Sequence, residues 1–291
     1  MKKIFVSFSG GRTSAFMAKW IQDNFSDTHE IIYVFANTGL EHEKTLEFVH
    51  KCDQAWGLGV VWLEAVTNDG RVGCTHKVVN FETAARNGEP FEDVICKYGI
   101  SNRAFPHCNR ELKLNPIRSY TRSIGWEKGV YHTAIGIRAD EIDRMSIKAK
   151  AENLWYPLIK LGVTKQDVLT WWRGQEFDLG LSEHLGNCVT CWKKTDRKLY
   201  TIAHEDPAAF DFMKRMEAEH ALTGAGEGER VFFRRSRSAE QIIAEAAERD
   251  FQLFREGQHE YQIPLFDLDQ PNGCEESCDI FSDDFERELA A

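Results

Sequence analysis

The sequence predicts an α/β protein built on a doubly wound parallel sheet, followed by a helical, cysteine-bearing C-terminal extension. Three observations carry this prediction. The chain opens on a short alternating apolar run, Ile4-Phe5-Val6-Ser7-Phe8, which passes through Ser9-Gly10-Gly11 into a helical pattern. Two further apolar runs, residues 31–36 and 60–66, alternate with amphipathic segments in the β-α-β-α-β order of a parallel sheet with helices on its faces. Last, Cys188-x-x-Cys191 and Cys274-x-x-x-Cys278 bracket a polar, helix-patterned end.

Composition narrows the class before any motif is weighed. The chain has 291 residues, 42% of them hydrophobic and 28% charged, enough for one large α/β domain with an appendage and its own core. A net charge of −10 argues against a broad nucleic-acid-binding face, although Lys193-Lys194, Arg197-Lys198 and Arg234-Arg235-Ser236-Arg237 form local basic clusters. Those clusters read first as solvated surface. The apolar start is too short and too interrupted for a signal peptide, and no run approaches the ~20 apolar residues of a membrane span. A cytoplasmic protein with no membrane contact is expected. In that compartment the eight cysteines are better explained by metal binding or catalysis than by disulfides.

The first strand–turn–helix is also the first candidate site. Glycines let a ligand approach the backbone, and the N–H groups of a helix start point at whatever sits there, which favours an anion. Ser9, Thr13 and Ser14 add hydroxyl groups to the cup around Gly10 and Gly11. No Lys-Ser/Thr pair follows, so this is not a Walker loop, and no Gly-x-Gly-x-x-Gly follows the strand. The helix is expected over about 14–24. The second strand ends in Ala36-Asn37-Thr38-Gly39-Leu40-Glu41, and a helix follows over about 43–56. Residues 67–105, punctuated by Gly70, Gly73, Gly88, Pro90 and Gly99, read as an insertion with short helical pieces; Cys74 and Cys96 in it read as free buried thiols and His76 as a surface histidine.

Cys108-Asn109-Arg110-Glu111-Leu112-Lys113 comes next, and on a helix Arg110 and Lys113 share a face that can meet phosphate or sulfate oxygens. Residues 131–136 form another buried-type strand, ending at Gly136 and leading into Arg138-Ala139-Asp140-Glu141. An Arg there can clamp a phosphate, and the carboxylates can orient it or hold Mg²⁺. Thr164 is positioned to cap a helix that begins at about 165. In the C-terminal part, residues 196–220 and 238–256 read as amphipathic helices joined by a Gly-rich loop. The two cysteine pairs suit four-thiolate coordination of Zn²⁺ or a [4Fe–4S] cluster, and a Cys188/Cys191 dithiol redox pair competes with both.

Ser-Gly-Gly-x-x-Ser after a first strand resembles the pyrophosphate loop of the ATP pyrophosphatase, or adenine nucleotide α-hydrolase, superfamily, and the later pieces resemble its PAPS reductase-like family. The matching pieces are Asn37-Thr38-Gly39 after strand two, Cys108, Lys113 and Pro116 in the Cys-Cys-x-x-Arg-Lys-x-x-Pro-Leu segment, Gly136-x-Arg138 in the Gly-x-Arg-x-x-Glu element, and Tyr156-Pro157-Leu158. They run in order over roughly residues 4–200. The resemblance implies a nucleotide-binding domain over 1–180 and an extension over 181–291 that carries the cluster cysteines Cys188, Cys191, Cys274 and Cys278.

It also implies ATP with Mg²⁺ as the nucleotide, cleaved between the α and β phosphates to activate a substrate in sulfur transfer or in nucleic-acid or nucleotide modification. Ser9, Gly10, Gly11, Thr13 and Ser14 would cradle the pyrophosphate, and Ala36, Asn37 and Thr38 would lie against the adenosine. Gly136 and Asp140 would border the site, with Lys113 and Arg138 stabilising charge at phosphorus. Cys108 or cluster-bound sulfide would carry sulfur between a sulfur donor and a nucleic-acid or small-molecule acceptor. By analogy with APS reductases and DNA phosphorothioation enzymes, iron–sulfur is favoured over zinc. Two departures stand out: Asn37 occupies a position where Asp is usual, and Asn109 takes the second place of the cysteine doublet. True PAPS or APS reduction is a second reading, weakened because the chain end lacks the Glu-Cys-Gly motif. A non-catalytic nucleotide- or nucleic-acid-binding module with a structural metal is a third.

Overall fold

A computed structural model describes residues 1–224 and 228–255. Its centre is a six-stranded sheet whose strands run β1 (Lys2–Ser7), β2 (His29–Ala36), β3 (Val61–Val66), β4 (Thr75–Val79), β5 (Tyr131–Ala134) and β6 (Leu154–Trp155) in the chain. Across the sheet the order is β4-β3-β2-β1-β5-β6. Strand β1 pairs in parallel with β2 on one side, Ser7 opposite Val34, and with β5 on the other, Val6 opposite Ala134. The chain therefore winds one way from β1 to β3 and returns to the far side of β1 for β5. The reversal opens a crevice at the carboxyl ends of β1 and β5, the place where open α/β sheets take their ligands.

Alternation along β1 explains the layers. Ile4 and Val6 pack on one face with α1 (Arg12–Phe25), α2 (Glu43–Trp56) and, further along the chain, α6 (Lys165–Arg173). Phe5 points to the other face, where Val34, Leu63, Leu114, Ile117 and Trp126 bring α4 (Asn115–Ser123) against the sheet. Helix α6 begins where Thr164 predicts: its hydroxyl accepts from the Asp167 N–H, and the Asp167 carboxylate closes a capping box.

The region 67–105 differs from its sequence reading. It supplies an antiparallel edge strand, β4, paired with β3 from Trp62–Val79 to Val66–Thr75, so the sheet is mixed rather than wholly parallel. Helix α3 (Glu89–Tyr98) follows. Of the expected buried thiols, Cys74 is buried, but Cys96 is exposed. His76 is half-buried, its Nδ1 lying 2.9 Å from the Ser119 hydroxyl. The segment Arg110–Leu114 is a π-helical turn running into α4. There Arg110 turns to the adjacent Glu111 at 2.8 Å, whereas Lys113 is buried, so the two cations do not form the shared exposed face an α-helix would give them.

Past the short helix α5 (Pro157–Lys160) and α6, the C-terminal part contributes α7 (Asp196–Glu205), α8 (Asp211–His220) and α9 (Ala239–Glu248). The expected helix over 196–220 is thus two helices. Asp206-Pro207 separates them, Pro207 removing a backbone donor and the Asp206 side chain accepting from the Ala208 N–H. These helices share a second core with α3, in which Phe91, Val94, Leu112, Leu199, Phe210 and Phe232 are all buried. No described helix is long and apolar enough to cross a membrane.

Candidate functional site

The loop after β1 is held by its own side chains. Ser14 Oγ accepts from the Ser9 N–H at 3.2 Å and lies 3.0 Å from Ser9 Oγ, while its own proton goes to the Gly11 carbonyl at 3.0 Å. Ser14 therefore shapes the cup. Helix α1 has Gly11 at its N-cap with no side-chain cap, which leaves first-turn N–H groups to be satisfied from outside the helix. Gly10 has φ +84°, and a Cβ there would stand 2.6 Å from Thr45 Cγ2. Only glycine fits. These features suit an anion received by backbone donors.

Across the crevice, the loop after β5 packs directly on the same turn. A Cβ at Gly136 would lie 3.2 Å from Ser14 Cα, so this glycine permits the close approach of the two loops. Two residues on, Arg138 is 1% exposed and donates from Nη1 to Thr13 Oγ1 at 3.1 Å. Its other donors face Asp140, at 3.1 and 3.3 Å, and its Nη1 lies 3.4 Å from Glu141 Oε2. Arg138 thus positions Thr13 and the first turn of α1 from behind. Asp140 is occupied too, since it also accepts the Lys165 N–H at 3.2 Å.

A second wall, which the sequence reading did not foresee, closes the cleft. Leu179, Leu181, Ser182, Glu183, Gly186 and Asn187 line it opposite Ser9, Gly10 and Gly11. Two clamps hold this wall. Arg12 makes a bidentate pair with Asp178 at 2.7 and 2.8 Å, and Lys44 Nζ donates to the Gly180 carbonyl at 2.9 Å. Glu183 is buried between Lys198, 2.7 Å from Oε1, and Lys165, 2.6 Å from Oε2. Burial would raise its pKa, but the Lys198 charge, hydrogen bonds from both lysines and the Lys165 charge together bring it down to about 2.

The expected cysteine pair follows that wall and reaches the loop after β2. Cys188 Sγ is 3.3 Å from Thr38 Oγ1, and the Val189 N–H donates to the Leu40 carbonyl at 3.0 Å. Thr38 is fastened by Glu41, whose carboxylate accepts both its N–H and its hydroxyl at 2.8–2.9 Å. Cys191 closes a turn onto the Cys188 carbonyl at 3.1 Å. Half of the expected thiolate set is therefore brought to the loop at the carboxyl end of β2. The other half, Cys274 and Cys278, lies outside the described residues. Among the described residues no group of three or more His, Cys, Asp or Glu side chains is arranged to hold a metal ion.

No protein-family model matches the chain. It is 32% identical over 297 aligned positions to the uncharacterized nin region protein ORF290 of Escherichia phage lambda, an alignment that covers 98% of this chain and 99% of the phage protein. The chain belongs to the ORF290 family. It is also similar to two uncharacterized proteins of Methanocaldococcus jannaschii. One, MJ0066, is 25% identical over 170 residues, 58% of this chain and 29% of its own length; the other, MJ0973, is 27% identical over 116 residues, 40% and 22%.

In this ORF290-family chain the remaining expected residues have been given other surroundings. Asn37 is fully buried and donates from Nδ2 to Glu64 Oε1 at 2.7 Å and to the Ala85 carbonyl at 2.9 Å. It ties β2 to β3 and to the turn before α3, and its Oδ1 accepts from the Gly39 N–H at 3.3 Å. Ala36 is buried in the core on the α4 side of the sheet. Cys108 packs against the second core, and its backbone N–H donates to Ser101 Oγ at 3.1 Å. Lys113 is buried within the π-helical turn. The wall at 178–187 escaped the sequence reading because it has no periodicity, and because its anchor Arg12–Asp178 spans 166 residues. A signal was present in Asp178-Leu179-Gly180-Leu181-Ser182-Glu183, a stretch punctuated by Gly180 and Ser182 just before the first cysteine pair.

Proposed function

We propose that this ORF290-family chain is a cytoplasmic PAPS reductase-like enzyme that binds ATP with Mg²⁺ and cleaves its α–β phosphate bond. The cleavage activates an acceptor for sulfur transfer or for modification of a nucleic acid or nucleotide. The observation that supports this best is the meeting of two separate motifs at the topological switch point: Arg138, after β5, donates to Thr13 in the first turn after Ser9-Gly10-Gly11, at 3.1 Å. On this reading the backbone donors of Gly10 and Gly11 and the hydroxyls of Ser9 and Thr13 receive the phosphates, with Arg138 acting through Thr13. The work asked of them is positioning and charge stabilisation rather than covalent chemistry.

Sulfur transfer is favoured over simple pyrophosphate release because the Cys188 thiol reaches the loop after β2, 3.3 Å from Thr38 Oγ1, at the same end of the sheet as the anion loop. Cys188 and Cys191, one turn apart, would supply two thiolates of a metal or [4Fe–4S] centre completed by Cys274 and Cys278. Such a centre would contribute sulfur or redox chemistry when bound. The test uses the full chain purified without oxygen and incubated with Mg-ATP, with AMP and pyrophosphate quantified and Gly10→Val as the control. Pyrophosphate formed by the wild type and lost in Gly10→Val supports the proposal. ATP binding without any turnover, with all acceptor classes supplied, favours a non-catalytic module. No ATP binding refutes the nucleotide reading. Iron, sulfide and zinc measured on the same sample decide between a cluster and a zinc site.

A further inference from the structure

The cleft has two walls of different construction. The glycine loop offers backbone N–H groups and hydroxyls, which suit an anion. The wall at 178–187 presents a carboxylate, Glu183, which taken alone would repel one. That carboxylate is overcompensated, because Lys198 and Lys165 both donate to it, at 2.7 and 2.6 Å. Two ammonium groups therefore meet one carboxylate beside the cleft.

The two lysines are not equivalent. The Lys198 side chain is 1% exposed and has no water to turn to, so it stays with Glu183. The Lys165 side chain is 36% exposed. Its stem is long and rotatable, and Glu183 keeps a counter-charge in Lys198 whenever Lys165 leaves it. Lys165 also stands at a junction, since its backbone N–H donates to Asp140, and Asp140 holds Arg138. A continuous polar chain thus runs around the cleft from Thr13 through Arg138, Asp140 and Lys165 to Glu183 and Lys198.

We propose that Lys165 is a specificity-determining residue of the cleft. It exchanges its bond to Glu183 for one to the second phosphate of a polyphosphate whose first phosphate occupies the loop at Ser9-Gly10-Gly11. A single phosphate or sulfate is satisfied by the loop alone and gains nothing from Lys165. A diphosphate or triphosphate engages both, and the buried Lys198 keeps Glu183 from repelling it. This rests on the nucleotide reading above and defines which part of the ligand the second wall recognises.

The test is calorimetric titration of the full chain with pyrophosphate, inorganic phosphate and sulfate, repeated on Lys165→Gln, Lys165→Arg and Gly10→Val, with circular dichroism of each variant to verify folding. The wild type is expected to bind pyrophosphate at least tenfold more tightly than phosphate or sulfate. That ratio should fall toward one in Lys165→Gln and be largely restored in Lys165→Arg. An unchanged ratio in folded Lys165→Gln overturns the role of Lys165 while leaving the anion loop standing. No anion binding by the wild type, or binding that survives Gly10→Val, overturns the nucleotide reading and this inference with it.

Discussion

Replacing Glu183 with Gln tests the electrostatics of the second wall through stability, independently of any ligand. The Glu183 carboxyl is held at about 2 against an ordinary 4.5, the pull of Lys198 and Lys165 outweighing the opposing effect of burial. Because the folded value lies below the unfolded one, the ion pair stabilises the native state fully above about pH 4.5, and this contribution is lost as pH falls through about 2. A carboxyl held at about 2 instead of 4.5 corresponds to roughly 3 kcal/mol of stabilisation. At pH 6, Glu183→Gln leaves Lys198 buried without its counter-charge, a loss of about 3–5 kcal/mol by comparison with other broken buried pairs. Urea unfolding of both proteins at constant ionic strength should show wild type well ahead at pH 6. Most of the gap should close between pH 4.5 and 2, as the wild-type carboxyl takes up its proton. A difference that stays level over that whole interval would refute the claim that two lysines hold Glu183 ionised.

Other consequences follow from single contacts. Gly10→Ala places a methyl 2.6 Å from Thr45 Cγ2 at φ +84°, and the strain and overpacking should cost ~2–4 kcal/mol in thermal unfolding and abolish phosphate binding; an unchanged Tm contradicts the tight loop. Asn37→Asp sets a second carboxylate against buried Glu64, where a donor 2.7 Å away now stands, and should cost about 3 kcal/mol, most of it recovered in Asn37→Asp/Glu64→Gln. If the double variant is no better than the single, that hydrogen bond is not the cause. Arg12→Met removes the bidentate clamp on Asp178, so amides 178–187 should exchange with deuterium faster while those of β1 keep their protection. Equal exchange in the two proteins would mean that Lys44 and the packing of Leu179 and Leu181 hold the wall without it.

Much of the framework was legible because it rests on local rules. Strand β1, the glycine turn, the buried run of β2 and the Thr164 cap announce themselves through periodicity and capping chemistry, and each lies where those rules put it. Strand β4 did not: Thr75–Val79 is a short edge strand with mostly exposed or half-buried residues, embedded among glycines that suggest a loop. The π-helical turn at Arg110–Leu114 is equally silent, since its sequence reads as ordinary helix and only tertiary packing shows Lys113 buried beside Glu111. In the site, the cup could be read from spacing. The wall could not, because Asp178, Glu183, Lys165 and Lys198 acquire meaning only when residues far apart in sequence close one cleft.

The departure at Asn37 shows how such distance conceals compensation. In the pattern this segment resembles, an acidic or amide residue follows strand two and Asp is usual, so an amide at position 37 reads as a missing charge. The structure puts a buried carboxylate one strand away: Glu64, in β3, accepts from Asn37 Nδ2 at 2.7 Å and from the Ala85 N–H at 2.6 Å, with Lys77 at 2.9 Å. An Asp at position 37 would meet that carboxylate head-on in a region with no water to screen it. The amide turns repulsion into a donor–acceptor pair, and Glu64 keeps Lys77 as its ionic partner. The same loop then continues to Thr38, whose hydroxyl lies between Glu41 and Cys188 at 2.8 and 3.3 Å. Asn37 therefore supports the frame on which the cysteine turn is seated, and a comparison confined to position 37 would miss Glu64, the residue that makes an amide fit there.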